Sequence, residues 1–251
     1  VLADSGLPTA WENQYVDKHE PKEAPYIPYQ VDNQFVHYIE SPTHIPFGPW
    51  RSVDHSQHAF FTESFIDELA HQANQDPFQY RRKLLKSEAR YLKVLEAVAK
   101  LSDWDRPLPQ GWGRGMAIHG SFNSIVAEVV EVDMSSGSLQ VMNVFCVADA
   151  GFAYCPNAFK AQMESGIIFG LTAALHGEIS IENGAVKQSN LHDYQMVRMN
   201  TAPDIHVEII NSGERTGGAG EPGTPPIAPA LTNAIFAATG NRIRQLPVKI
   251  S

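Results

Sequence analysis

Residues 217–226 read Gly-Gly-Ala-Gly-Glu-Pro-Gly-Thr-Pro-Pro, so a single acid, Glu221, stands among four glycines with a proline pair behind it. Glycines let a backbone take positive φ and come close to a ligand, and prolines then fix the exit of the loop. A glutamate in such a place is either a solvated or helix-N-terminal carboxylate, or a general base. For the base, enclosure raises the pKa from its ordinary value of about 4.3 towards neutrality, so that it can take a proton from water or a metal-bound hydroxyl. The junction of a flexible run with a rigid one favours the base. No Gly-Lys-Ser/Thr follows, which excludes a phosphate-binding Walker loop, and no Gly-x-Ser-x-Gly elbow points to a serine hydrolase.

Two further side chains qualify as site candidates. Arg51 leaves a loop over 42–50 that holds three prolines and a glycine; it is either a surface ion-pairing group or part of a site. Gln162 lies in an expected helix, where a polar residue is either solvated or turned to a ligand. Phe47, Trp50 and Phe122 are candidates for an aromatic pocket or for core. Ten histidines are scattered, with no His-x-x-x-His pair and no Cys/His cluster at zinc spacing. Cys146 and Cys155 are read as reduced thiols or as a disulfide pair, and the redox compartment stays open.

These residues need a scaffold, and the hydrophobic periods describe one. Residues 1–40, with Pro21, Pro25, Pro28, Tyr26 and Tyr29, are expected as an extended arm over a partner surface or the end of a preceding domain, and 41–251 as one domain. A helix is expected from Ala59 with Phe61, Phe65, Leu69 and Ala73 as its apolar stripe and Ser56 near its cap. Asp76-Pro77 then reads as N-cap and first turn of a second helix to about Leu85. A third spans about Glu88–Leu101 with Leu92, Leu95 and Ala99 on one face, and 103–115 is expected as loop. Strands 125–133 and 139–148 form a hairpin about the Ser135–Ser138 turn. A helix over 158–175 carries Gly166 and Gly170 on a close-packing face, and a second hairpin turns at Glu182-Asn183-Gly184. Strand 205–210 leads to the glycine loop, and a last helix from Ile227 to about Ala238 stops at Gly240. Strands and helices mix without strict alternation, so the class is α+β.

Composition narrows the function. The chain of 251 residues is 43% hydrophobic and 19% charged, enough for a sizeable core. A formal charge of −9 argues against nucleic acid as a partner, and no run of about 18 apolar residues could span a bilayer. The first residue is Val, with no signal-like segment after it, so a processed N-terminus or a piece of a longer polypeptide is expected.

Several segments in order resemble the molybdopterin-binding subunit of the xanthine oxidase family, in its C-terminal part, with the isoquinoline 1-oxidoreductase β-subunit and its aldehyde-oxidising relatives as the nearest branch. They are Gly-Pro-Trp-Arg-Ser-Val (48–53), Glu-Ser-Phe-Ile-Asp-Glu-Leu-Ala (63–70), Asp-Pro-Phe-Gln-Tyr-Arg (76–81), Ala-Gln-Met-Glu-Ser-Gly-Ile-Ile-Phe-Gly-Leu (161–171), His-Asp-Tyr (192–194), Gly-Glu-Pro-Gly-Thr-Pro-Pro (220–226) and Ala-Ala-Thr-Gly-Asn-Arg-Ile-Arg-Gln-Leu-Pro (237–247). The resemblance implies that Glu221 is the base acting on a molybdenum-bound oxygen, that Gln162 hydrogen-bonds the pterin, and that Arg51 and Gly220 lie at the cofactor. It implies no direct side-chain ligand to the metal. Ser165 stands where relatives commonly carry glycine, and His192 is expected as a structural hydrogen-bonder.

A full subunit of this kind is roughly three times longer, and its Gly-Gln-Gly type segment is absent here, as is a Cys-x₄-Cys-x₂-Cys run for a [2Fe–2S] cluster. The resemblance therefore implies an enzyme only together with partner chains: the N-terminal part of the molybdenum subunit, split or cleaved, a small [2Fe–2S] subunit, and a c-type cytochrome in some relatives. The implied cofactor is molybdopterin cytosine dinucleotide with molybdenum. The implied reaction is oxidation of an aldehyde or aromatic N-heterocycle with water as oxygen donor, and the implied compartment is the periplasm. The competing reading is a non-catalytic scaffold of such a complex, against which the retained acid in its glycine–proline setting argues.

Overall fold

The computed structural model describes residues 2–42, 44–46 and 48–250; Phe47 lies outside them. A central sheet of strands β3 (Trp112–Ser121), β4 (Ser124–Asp133), β5 (Gln140–Asp149) and β8 (Asp204–Ile210) is covered on both faces. The first three strands are antiparallel neighbours and β8 adds parallel to β5. On one face lie α4 (Pro156–His176) and α5 (Ile227–Thr239), with Met163, Ile167, Leu171, Ile227, Ala230, Leu231 and Ala234 packed on Val126, Val130, Val144 and Cys146. On the other lie α1 (His55–Gln72), α2 (Pro77–Leu84) and α3 (Ala89–Leu101), whose Ile66, Tyr80, Val94 and Leu95 meet Met116, Ile118, Ala127 and Val147. A peripheral ribbon, β1 (Ala10–Asp17) with β2 (Asn33–Glu40), and a two-residue hairpin, β6 (Ile181–Glu182) with β7 (Ala185–Val186), complete the α+β fold.

Local signals acted where they were read. The Asp76 carboxylate accepts from the Gln79 amide at 2.9 Å as N-cap of α2, with Pro77 in the first turn. Gly240, at φ 76°, ends α5 in the left-handed region. On α4, Gly166 and Gly170 face the main chain of Gly223 and Thr224, bringing the helix directly onto the glycine loop.

Three expectations are corrected. The loop expected over 103–115 contains the start of β3, because Gly113 and Gly115 are strand residues over which α5 crosses. A Cβ on either would stand 2.2 Å from the Ala234 backbone. The stripe Phe61, Phe65, Leu69 and Ala73 is not the inward face of α1: Phe61 and Phe65 are 44% and 46% exposed, and Asp54, without a side-chain cap bond, precedes the helix in place of Ser56. The inward face is His55, His58, Ala59, Glu63, Ile66, Asp67 and Ala70, whose charges are matched by arginines from elsewhere. The segment 1–40 is extended as expected, yet Trp11, Ile27, Tyr29 and Val31 are buried against this chain's own helices. Cys146 is buried, Cys155 exposed, and both are free thiols.

Candidate active site

The glycine loop is anchored before it reaches Glu221. Gly217 donates to Ala150 O at 3.0 Å and Gly218 to Phe122 O at 2.8 Å, while Ser124 Oγ donates to Gly218 O at 2.6 Å. Gly217 lies so close to the β3–β4 turn that a Cβ would sit 2.4 Å from Ser124 Oγ. The chain then turns, with the Thr224 amide on Glu221 O at 2.9 Å, and enters α5 through Pro225 and Pro226. Glu221 is therefore presented at the end of a pinned loop, half-buried rather than enclosed by this chain. Its Oε1 accepts from the Ser52 amide at 3.0 Å.

Arg51, Gln162 and Gly220 meet beside it, Arg51 lying more than 100 residues from the other two. The Arg51 guanidinium donates through Nε to Gly220 O at 2.7 Å, through Nη1 to Ser165 Oγ at 2.9 Å, and through Nη2 to Gln162 Oε1 at 3.2 Å. It also lies over the Phe169 ring, 5.6 Å from its centroid, and Trp50 packs on the same ring at 4.8 Å. Burial lowers the Arg51 pKa and the Glu221 carboxylate opposes that shift. Arginine only donates, so the Gln162 oxygen must face it and the two amide N–H groups are left for another acceptor. Ser165, the departure from the family pattern, is the third rest for this fork, a role that glycine could not fill.

The Ser52 amide reaches Glu221 because Ser52 and Val53 both adopt positive φ, 77° and 43°, just before α1. Such conformations are uncommon for residues with a Cβ and outliers for a β-branched one. They cluster at sites where surroundings hold them in place. Behind Ser52 stands a buried group that spacing alone did not point to. His55 Nδ1 and His119 Nε2 are 2.9 Å apart, and the Phe122 ring stands edge-on to His55 at 5.0 Å. Burial lowers the His55 pKa, partly countered by Glu23, Asp54 and Glu221. Burial also pushes His119 down to about 3 and His58 to about 4, so at neutral pH this wall is uncharged. The one sequence signal for it was His55-x-x-His58, a spacing that puts both rings on one helix face. His192, expected as a structural hydrogen-bonder, is exposed, and its neighbour Asp193 holds the loop by accepting from the Ser189 and Asn190 amides.

The comparisons bear on this arrangement. The family model described as molybdopterin cofactor-binding domain matches residues 54–203, more than half of the chain. The chain belongs to the molybdenum-binding subunits of the xanthine oxidase family. It is 37% identical over 205 residues to the isoquinoline 1-oxidoreductase subunit beta of Brevundimonas diminuta, covering 79% of this chain and 26% of that one. It is 32% identical over 221 residues to the membrane-bound aldehyde dehydrogenase [pyrroloquinoline-quinone] of Gluconacetobacter polyoxogenes, covering 79% and 28%. The chain thus spans about a quarter of the length of these relatives. Its fold is that of quinoline 2-oxidoreductase from Pseudomonas putida 86, with a TM-score of 0.80 at 12% identity over 97% of this chain and 59% of that one.

Proposed function

We propose that this chain carries the base and part of the cofactor cradle of a molybdenum hydroxylase that oxidises an aldehyde or an aromatic N-heterocycle with water as oxygen donor. The observation that carries the reading is the convergence of Arg51, Gln162, Gly220 and Glu221 on one surface. Its donor set suits a pterin-held cofactor. The Gln162 amide has N–H groups free for a ring nitrogen or oxygen, and Gly220 leaves open the space that a Cβ would fill, 3.7 Å from Gln162 Oε1. When bound, the molybdenum group supplies the two-electron redox and oxygen-transfer chemistry. Glu221 supplies the proton acceptor: the Ser52 amide holds Oε1, which leaves Oε2 to take a proton from the oxygen nucleophile. Arg51 holds the Gly220 carbonyl and the Gln162 amide in one register, so that cofactor and base keep a constant separation.

The remaining enclosure of Glu221 is assigned to the rest of the molybdenum subunit. The relatives' names, an isoquinoline oxidoreductase and an aldehyde dehydrogenase, motivate the two substrate classes. The cytosine dinucleotide form of the pterin, a partner subunit with [2Fe–2S] clusters, a c-type cytochrome acceptor and a periplasmic location rest on the family resemblance. Mass spectrometry of the released cofactor and of the native complex, with cell fractionation, checks each of them.

The deciding experiment is Glu221→Gln in the assembled, molybdenum-replete complex. Turnover should fall about 10²–10⁴-fold, the range for loss of a positioned base, with molybdenum content unchanged. Undiminished turnover would remove the catalytic assignment and leave a scaffold.

A further inference from the structure

The glycine loop rests on two short segments at one end of the central sheet. Gly217 and Gly218 donate to Ala150 O and Phe122 O, and Gly213 donates to Gly151 O at 3.1 Å. From the β3–β4 turn, Asn123 Nδ2 reaches across to Arg215 O at 2.6 Å. These supports are turn and bend rather than strand. Phe122, Asn123 and Gly151 all adopt positive φ, at 52°, 61° and 78°, and for the first two that conformation is uncommon. Such supports stay in place only where something holds them.

One side chain from the opposite face of the sheet holds both. Arg90 is the second residue of α3, where a cation works against the helix dipole and gains nothing for the helix. Its guanidinium grips the Asp149 carboxylate side-on, Nε to Oδ2 at 2.8 Å and Nη2 to Oδ1 at 3.2 Å. Nη2 also donates to Asp149 O at 3.0 Å and to Asn123 O at 3.2 Å. Asp149 is fully buried and passes the hold on, for its Oδ1 accepts from the Gly151 amide and from Ser212 Oγ, each at 2.8 Å. Burial works to raise the Asp149 pKa, and the bonds from Arg90, Gly151 and Ser212 more than offset it, so the net shift is downwards. One planar fork thus joins α3, the β3–β4 turn, the end of β5 and the entry to the glycine loop. An ammonium, a single point of charge, cannot span a carboxylate and two carbonyls at once.

We propose that Arg90, acting through Asp149, is a positioning residue for Glu221: it sets how the glycine loop lies over the end of the sheet, and so where the loop delivers its carboxylate. The inference rests on the reading of Glu221 as the base. Among the described residues neither Arg90 nor Asp149 bonds to Glu221, Gln162 or Arg51, so any effect on turnover passes through the loop. A displacement of about 1 Å is enough to slow a reaction between positioned groups by about 10²-fold.

Arg90→Lys in the assembled, molybdenum-replete complex tests this. Lysine keeps a charge beside Asp149, so assembly and molybdenum content should hold. In the variant, kcat should fall about ten- to a hundredfold with KM within about threefold. The amides of residues 213–218 should exchange about tenfold faster, while those in the middle of β4 and β5 keep their protection. Because Arg90 acts through Glu221, the double variant Arg90→Lys/Glu221→Gln should be as slow as Glu221→Gln alone, within about twofold. Ser212→Ala removes only the loop-side bond to Asp149 and should give a weaker version of the same loop exchange, with about a threefold loss of kcat. Unchanged exchange over 213–218, or a double variant slowed by the product of the two single effects, overturns the positioning role and leaves the base assigned. Undiminished turnover in Glu221→Gln removes the base reading itself, and its positioning with it. If Arg90→Lys does not assemble, Ser212→Ala decides alone, and unaltered loop exchange and turnover there overturn the proposal.

Discussion

Glu63 and Glu221 are the same side chain placed in opposite circumstances. Glu63 is buried, and both its oxygens are engaged: Oε1 accepts from Tyr29 Oη at 2.7 Å, and Oε2 from Arg81 Nε at 2.9 Å and the Ile118 amide at 3.0 Å. Its carbonyl accepts from Arg81 Nη2 at 2.9 Å and Asn233 Nδ2 at 3.3 Å, tying α1 to α2, β3 and α5 at one point. Arg242 and Asp67 extend the cluster at 2.6 Å. Burial works against the Arg81 charge, and Glu63, Tyr29 and Asp67 outweigh it, so its pKa is raised. Glu221 is half-buried and spends one oxygen on one amide; among the described residues the other accepts nothing. A carboxylate with both oxygens engaged holds a fold together. One left half-used can move a proton.

The contrast breaks most visibly through stability. Arg81→Ala strands the Glu63 charge in the core and should cost about 3–5 kcal/mol in urea unfolding, as for one partner of a buried pair. A cost below about 1 kcal/mol would place the two glutamates in the same class.

The histidine wall beside the site gives the next largest effect. His58 and His119 are held by burial at about 4 and about 3, below the 6.5 of the unfolded chain. Between those values and 6.5 the unfolded chain takes up protons that the fold refuses. Their contribution is therefore complete above pH 6.5 and is lost as pH falls towards 4, by about 2 kcal/mol or more. Among the described residues neither His58 ring nitrogen has a hydrogen-bond partner, so His58→Phe should keep the edge-on contact with Tyr15 and flatten part of that decline. Urea midpoints at pH 7.5 and 5 measure it.

Smaller still is the strain on the Glu221 side. Val53→Gly removes a β-branched residue at φ 43° that is 40% exposed, and should stabilise by about 0.5–1 kcal/mol after the added chain entropy. Least of all, Glu221→Gln should shift stability by no more than about 0.5 kcal/mol, because the amide oxygen can still accept from the Ser52 amide. Thermal melts of the two variants separate these outcomes, and a large loss in Glu221→Gln would make Glu221 architectural.

Much of the scaffold was legible because it obeys local rules. The caps at Asp76 and Gly240, the β4–β5 hairpin, and the small face of α4 each follow from a few neighbouring residues. The misreadings came where distant residues decide. Gly113 and Gly115 resemble loop glycines until α5 crosses β3. The phenylalanines of α1 look like its core until Glu63 finds Arg81 on the next helix and Asp67 finds Arg242 from far along the chain. The site divides in the same way: Glu221 stood out by its own neighbours, whereas the His55–His119 wall joins residues 64 positions apart.

By itself, then, the sequence determined that one carboxylate stands at a glycine–proline junction, and through its ordered motifs it determined the family, since both are properties of near neighbours and their order. Only the tertiary structure decided that Arg51 grips Gly220, Ser165 and Gln162 together and that the Ser52 amide engages one oxygen of Glu221. Those bonds join residues more than 100 positions apart, and a hydrogen bond acts over about 3 Å. Such contacts exist only after α1, α4 and the glycine loop have packed.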